Sequence, residues 1–412
     1  MKVCVGLNSV ASIIPEIKSS FEKQGIATIT VSRVESQSVL INNEIDFCIP
    51  TWKARCPVFR PGRFYVRFKK WWDKKVESFI WNKVLNECDI FIFIVLSFKD
   101  DFSDLEELVK RGKKIFFVFV GDDVRWYYAM KSEFSLYNLH PVEYGIDGID
   151  SIQTLRSRLA RIRIAEKYAT AIFSRLDQAQ LQLRPYYRWN MMVIPENYNV
   201  VLNQRKKNPV IIHAPSNRSI KGTKYILDAI NRIQNIDKIE ITFRLVENIA
   251  HSEALLMYES ADIVIDQLLL PGTGKLATEA LAMGKVVLSN MSYEKYPQKN
   301  PAECPVIDVN PDTIYDVLKK IIIDFEFRSS HAALGRKYVE TYLDVALFCS
   351  KVLDLATGKH IEYDYIPNFF RDCYNSDNSD EVQAINHWTD FIKDTDWYKT
   401  FVKPGSRGDF IF

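Results

Sequence analysis

The sequence predicts an α/β protein: two successive Rossmann-like β/α/β domains facing each other across a cleft, followed by a C-terminal aromatic helical tail. Short apolar runs alternate with amphipathic stretches along most of the chain, the pattern of a doubly wound sheet. Those runs are apolar throughout, as parallel strands covered on both faces are, instead of alternating in period two. The pattern restarts after a polar interruption, NQRKKN at 203–208. One domain is therefore expected over 1–203, a second over 208–350 and the tail over 351–412, in keeping with 412 residues at ~100–200 per domain.

In the first domain Val3–Leu7 reads as a strand, Ile13–Gln24 as a helix closed by Gly25, and Ala27–Val31 as a second strand. A basic insertion follows. Asp89–Ser97 then reads as a strand, Asp104–Arg111 as a helix ended by Gly112, and Lys114–Val120 as a strand. A long basic helix over Ser151–Tyr168 precedes short strands at Ala171–Ser174 and Met191–Pro195. In the second domain the strands are Val210–His213, Glu240–Val246, Ala261–Asp266 and Val286–Ser289. The helices between and after them are Tyr225–Gln234, Ser252–Glu259, Lys275–Ala282 and Thr313–Phe325. The tail, with twelve aromatics after residue 360, reads as a loop and an aromatic helix that packs back on the body.

The net charge of +2 excludes a polyanion binder whose whole surface is basic, but it hides a local imbalance. Residues 52–83 carry ten Lys or Arg against Asp73 and Glu77, an excess of eight that leaves the remainder at −6. The same segment holds nine aromatics and four of the eight tryptophans, a mixture that suits an anionic membrane interface or an acceptor carried there. A helix over Arg67–Leu85 with Phe68, Trp72, Val76 and Phe79 packed on the domain is the structural alternative; no nucleic-acid motif accompanies the cations. No secretory leader pattern and no apolar run of the ~20 residues that span a bilayer is seen, so a cytoplasmic protein is expected, peripheral at most to the inner face of the membrane. Seven scattered cysteines without CxxC spacing predict free thiols and no metal site, and Asp394 and Asp396 match a metal-binding DxD by composition alone.

Chemistry concentrates in two strand–loop–helix units of the second domain. After Val210–His213 the loop carries Pro215, Ser216, Asn217, Arg218, Ser219 and Lys221-Gly222. Small hydroxyl residues, two cations and a glycine ahead of a helix suit a pyrophosphate, or else form a surface loop with incidental charge. After Ala261–Asp266 comes the turn Pro271-Gly272-Thr273-Gly274 and a helix bearing Glu279, whose carboxylate can accept from two neighbouring hydroxyls such as those of a ribose.

Together these units resemble the donor half of the retaining nucleotide-sugar glycosyltransferases of the GT-B fold, glycosyltransferase family 4. Lys221-Gly222, Gly274, Glu279-Ala280 and Gly284-Lys285-Val286-Val287 carry the resemblance. Two positions depart from it: Pro271 stands where the family has its first glutamate, and Ser216 where it has its arginine, for which Arg218 is the substitute. The resemblance implies transfer of a sugar from a nucleoside diphosphate sugar, as co-substrate and without a cofactor or metal, to a glycan or lipid-linked acceptor hydroxyl, in bacterial surface polysaccharide biosynthesis. It implies a donor site over His213, Ser216, Arg218, Lys221, Glu247, Asn248, Thr273, Gly274 and Glu279. On the first domain it implies acceptor contacts from Asn8 and Ser9 and reacting-centre contacts from Asp122, Asp123, Arg125 and His140; helix capping is the alternative for the two aspartates. A catalytically silent partner protein of the same fold, binding a glycan or stabilising another transferase, is the competing reading.

Overall fold

The computed structural model describes residues 1–8, 10, 12–34, 45–50, 63–99, 102–126, 151–201, 208–292, 303–365 and 379–401. The chain divides into two compact units. The first is Met1–Arg125, Leu155–Trp189 and Val345–Phe412; the second is Trp126–Thr154 and Asn190–Asp344.

The first unit holds β1 (Lys2–Leu7), α1 (Ile13–Lys23), β2 (Ala27–Val34), β3 (Phe47–Pro50), α2 (Arg63–Glu87), β4 (Ile90–Ile94), α3 (Ser103–Lys110), β5 (Lys114–Val118), α4 (Ile152–Tyr168), β6 (Ala171–Ser174) and β7 (Tyr187–Arg188). The strands form one sheet in the order β3-β2-β1-β4-β5-β6-β7, every described pair parallel. Central β4, IFIFI, is buried along its whole length, because helices cover both faces of a parallel sheet.

Helix α2 does not follow the structural alternative. Phe68, Trp72 and Phe79, which that alternative packs on the domain, are exposed, and Ile80, Trp81, Val84 and Leu85 are buried instead. Trp81 lies 5.1 Å from the Phe98 ring and 6.3 Å from Phe91, ring centroid to centroid, and Glu77 pairs with Arg33 at 2.6 Å.

The second unit holds β8 (Val210–His213), α5 (Arg218–Lys221), α6 (Thr223–Asn235), β9 (Thr242–Leu245), α7 (His251–Glu259), β10 (Ile263–Ile265), α8 (Lys275–Ala282), β11 (Val286–Ser289), β12 (Ile307–Asp308), α9 (Ile314–Ile323) and α10 (Phe325–Tyr338). Its sheet is parallel in the order β12-β11-β10-β8-β9. Alternate strand residues feed two cores: Ile212, Val264 and Val287 join one, while Ile211, Ile263, Ile265, Val286 and Leu288 join the other. The helix predicted over Thr313–Phe325 ends two residues early, and α10 starts behind Asp324, whose carboxylate caps it by accepting from the Phe327 N–H at 2.9 Å.

The passage between units lies at 189–190, upstream of the predicted linker, whose residues 203–207 lie outside those described. Met191–Pro195 is accordingly no strand of the first sheet. The Thr278 hydroxyl and Lys275 ammonium of α8 donate to the Met191 and Met192 carbonyls at 2.7 and 2.9 Å, and the Val193 N–H donates to the Leu343 carbonyl at 3.0 Å, which draws the segment into the second unit.

The chain rejoins the first unit at α11 (Val345–Ala356), ahead of the tail expected from 351. Val345, Phe348, Cys349 and Val352 form its buried stripe, with Phe348 edge-on to Phe173 at 4.8 Å and Trp189 at 5.0 Å. Beyond it, Tyr186 and Tyr365 pair as an antiparallel bridge. The tail ends in two described helices, α12 (Ser379–Asp390) and α13 (Asp396–Phe401), where one was expected. Trp397 of α13 donates its indole N–H to the Glu166 carbonyl at 2.8 Å, and Lys167 lies 4.1 Å from the Phe391 ring centroid. Five cysteines fall within the description, all free thiols: Cys4, Cys88 and Cys349 buried, Cys304 half-buried and Cys48 exposed. No described helix is long and apolar enough to cross a membrane.

Candidate functional site

In an open parallel sheet ligands bind beyond the carboxyl ends of the strands, where the strand order reverses. In the second unit that point lies between β8 and β10, and the two chemistry-bearing loops leave from these strands.

Beyond β8, Asn217 caps α5 by accepting from the Ser219 and Ile220 N–H groups at 3.0 and 3.2 Å, so those amides are already satisfied. The four-residue helix stops at Gly222, whose φ of +75° breaks the chain before α6. A Cβ there would lie 3.1 Å from Leu268 Cβ, so glycine meets both the dihedral and the space requirement. This break delivers Lys221 to the β10 loop, where its ammonium donates to Asp266 Oδ1 at 2.8 Å and to Gln267 Oε1 at 2.6 Å.

Asp266, almost fully buried, also accepts from the Gly274 N–H through Oδ2. A Cβ at Gly274 would lie 2.9 Å from Lys221 Nζ and 3.2 and 3.3 Å from the Asp266 carboxylate oxygens, so the two loops approach closely here. Gln267 braces the turn by donating to the Leu270 and Gly272 carbonyls at 3.0 and 2.8 Å. Two of the expected phosphate donors, Lys221 and the Gly274 amide, thus converge on one buried carboxylate. A phosphate oxygen can take the Gly274 amide only by displacing Asp266, while the ammonium keeps one of its three donors.

Glu279 is buried in α8 and accepts through Oε1 from His251 Nε2 at 2.9 Å and the Tyr198 hydroxyl at 3.4 Å. Burial, with the Glu279 carboxylate next in weight, raises the pKa of the nearby Tyr258 phenol. The expected ribose acceptor is therefore oriented by His251, which the sequence reading passed over as one histidine among six.

Arg218 is exposed and forks onto Glu247, with Nε to Oε1 at 2.8 Å and Nη2 to Oε2. The guanidinium holds the Glu247 carboxyl below its ordinary range. Ser216 and Asn248 are exposed, Asn248 in the left-handed region at φ +56°, and Thr273 is half-buried.

His213 is not placed as a donor contact: its side chain is fully buried and both ring nitrogens are engaged. Nδ1 lies 2.8 Å from the Ile265 carbonyl and so carries the proton, leaving Nε2 to accept from the Thr223 hydroxyl at 2.9 Å. Burial lowers its pKa from 6.5. The folded state then binds fewer protons than the unfolded chain as the pH falls through that value, so this stability is complete above it and lost below. Tm should therefore fall as the pH drops from neutral to below about 6. His213→Asn, which keeps an N–H for Ile265, should flatten that slope; an unchanged slope would assign it to other groups.

In the first unit the GDDVR segment following β5 forms a turn. Asp123 folds back to accept from the Gly121 N–H at 2.7 Å and from Val120, and burial raises its pKa. Arg125 is buried between Asp122 at 2.7 Å and the wholly buried Asp177 at 3.2 Å, which also accepts from Arg175 at 2.9 Å. Arg158 and Arg161 donate to the Asp122 and Asp123 carbonyls at 3.1 and 2.6 Å. Asp123 and Arg125 thus have partners within their own unit, Asp122 is half exposed, and Asn8 is half-buried beyond β1; Ser9 and His140 lie outside the described residues. No group of three or more potential metal-ligating side chains occurs among the described residues.

No protein-family model and no curated protein sequence matches the chain. Solved structures do. Sucrose-phosphate synthase from Thermosynechococcus elongatus superposes with a TM-score of 0.55 at 12% identity, over 87% of this chain and all of that one. Anabaena HepE in complex with UDP and glucose gives 0.52 at 11%, over 87% and 100%. A glycosyltransferase from Rickettsia africae gives 0.51 at 13%, over 87% and 97%. At such identities the likeness is one of fold, and the chain has the architecture of two Rossmann-like units found in the GT-B glycosyltransferases.

Proposed function

We propose that the chain is a glycosyltransferase that moves a sugar from a nucleoside diphosphate sugar to a hydroxyl of a glycan or lipid-linked acceptor, with retained anomeric configuration. The process would be bacterial surface polysaccharide assembly, capsule, lipopolysaccharide or a similar glycan, carried out in the cytoplasm by a protein held at the inner face of the cell membrane. One observation carries the reading: Lys221 from the segment after β8, and Gly274 and Glu279 from the segment after β10, all belong to elements at the carboxyl ends of these two strands. In the proposed reaction the bond from the anomeric carbon to the diphosphate oxygen breaks, and one to the acceptor oxygen forms. The acceptor proton passes to the leaving phosphate. Lys221 and the Thr273-Gly274 amides would offset the growing negative charge, Arg218 joining them on leaving Glu247, and Glu279 would hold the ribose. No cofactor or metal ion enters this scheme.

UDP heads the list of nucleotides to test, since HepE is the neighbour seen with UDP and glucose. A nucleoside diphosphate at 100 times its Kd should stabilise the protein by ~2.7 kcal/mol. Thermal denaturation with a panel of nucleoside diphosphates checks this, and Glu279→Ala should abolish the response. Silence with every nucleotide would favour the second reading, a catalytically silent partner protein. Pro271 in place of the family's glutamate and the carboxylates that engage Lys221 and Arg218 keep that reading in play.

A further inference from the structure

The membrane placement in that reading needs a docking surface, and α2 has one. At 100° per residue Phe68, Trp72, Lys75 and Phe79 fall within an arc of roughly 60°, with Trp71 about 40° beyond its edge, roughly opposite the buried Trp81 and Val84. The four rings are 55%, 53%, 55% and 65% exposed at Phe68, Trp71, Trp72 and Phe79, although burying large rings is normally favourable. Three of them are contiguous, with Phe68 to Trp71 at 5.9 Å and Trp71 to Trp72 at 6.4 Å between ring centroids.

Charge identifies what covers this patch. The helix carries seven Lys or Arg against three carboxylates; Glu77 pairs with Arg33, and Glu87 with Lys2 and Lys83. Arg67 and Lys74 flank one shoulder of the stripe, exposed and without an ion pair among the described residues. Lys75 lies in the stripe, 5.8 Å from the Trp71 ring centroid. Rings that settle at headgroup depth beside cations that meet anionic headgroups describe an interfacial helix, one that lies on a bilayer without crossing it. We propose that the outer face of α2 docks the protein on an anionic lipid surface through Phe68, Trp71, Trp72 and Phe79, with Arg67, Lys74 and Lys75 supplying the charge selectivity.

Sedimentation of the full chain with phosphatidylcholine vesicles, with and without phosphatidylglycerol, tests this. Binding should require the anionic lipid, and Lys74→Gln with Lys75→Gln should weaken it about thirtyfold. Phe68→Ser with Phe79→Ser should abolish it without lowering Tm, because both rings are exposed. Brominated lipid should quench tryptophan fluorescence, and Trp71→Phe with Trp72→Phe should remove the quenching while leaving sedimentation intact. Equal binding to neutral vesicles, insensitivity to the lysine pair, or quenching that survives both tryptophan changes would overturn the proposal. So would a dimer in light scattering that Phe68→Ser with Phe79→Ser dissociates while vesicles go unbound, since the occupant would then be a second copy. Nucleotide-induced stabilisation of the same preparations is read alongside: vesicle binding without any nucleotide response faults the transferase reading and leaves the docking surface standing.

Discussion

Lys221→Ala should lower kcat/KM for the nucleotide-sugar donor by about 10²–10³, the range seen when one donor to a developing anion is removed. The single variant also does something else. It leaves Asp266, 1% exposed, without the ammonium 2.8 Å away, and stranding a buried charge costs roughly 3–5 kcal/mol. A loss of activity could then reflect a collapsed loop. Lys221→Ala combined with Asp266→Asn removes both charges and should recover most of the stability but none of the nucleotide response. Thermal denaturation with and without nucleotide separates the two effects. Recovery of nucleotide binding in the double variant would remove Lys221 from the donor site and leave it a structural partner of Asp266.

The same pair marks how far the site could be read from sequence. Lys221, Gly274 and Glu279 were legible because each follows a strand that the apolar pattern had located, at the end where ligands bind. Asp266 was not. It closes the run Ala261–Asp266, and a carboxylate after five residues of strand looks like a strand end until the fold folds Lys221 and Gly274 onto it. His251 escaped for a similar reason, since its meaning depends on Glu279, twenty-eight residues on. Asp123 and Arg125 show the converse: polar residues following a strand look reactive in sequence, and only the fold shows that Asp123 accepts from the Gly121 N–H and that Arg125 donates to Asp177.

The fold was legible where burial is two-sided. Runs such as Ile90–Ile94 and Val286–Ser289 leave little choice but a covered parallel strand. The two- to four-residue strands β3, β7 and β12 carry too few positions to show any period. Helix α2 carries aromatics on both faces, so its periodicity predicted a helix without saying which face is inside. Nor could the stripe on α11 reveal that its partners, Phe173 and Trp189, belong to the first unit.

Glu166→Ala should produce the largest loss of stability in the first unit, roughly 3–5 kcal/mol. The Glu166 side chain is wholly buried: Oε2 accepts from Arg163 at 2.7 Å, and Oε1 accepts from the Leu183 and Arg184 backbone N–H groups at 2.5 and 2.9 Å. Removing it strands a guanidinium that is 2% exposed and orphans two backbone donors. At about 2–4 °C per kcal/mol for a body of 150–250 residues, Tm should fall by roughly 10 °C. Arg163→Met with Glu166→Gln removes both charges but keeps an acceptor for the two amides, and should lose much less than the sum of the single changes. A cost below about 1 kcal/mol for Glu166→Ala would mean that water reaches the pair and that it behaves as a surface ion pair. Because two units can melt separately, the affected transition must be identified. A nucleotide binding beyond β8 and β10 stabilises the second unit directly, so the calorimetric step that Glu166→Ala lowers should be the one that nucleotide shifts least. A single step responding equally to both would show that the units unfold as one cooperative body, coupling the donor loops to a carboxylate in the other unit.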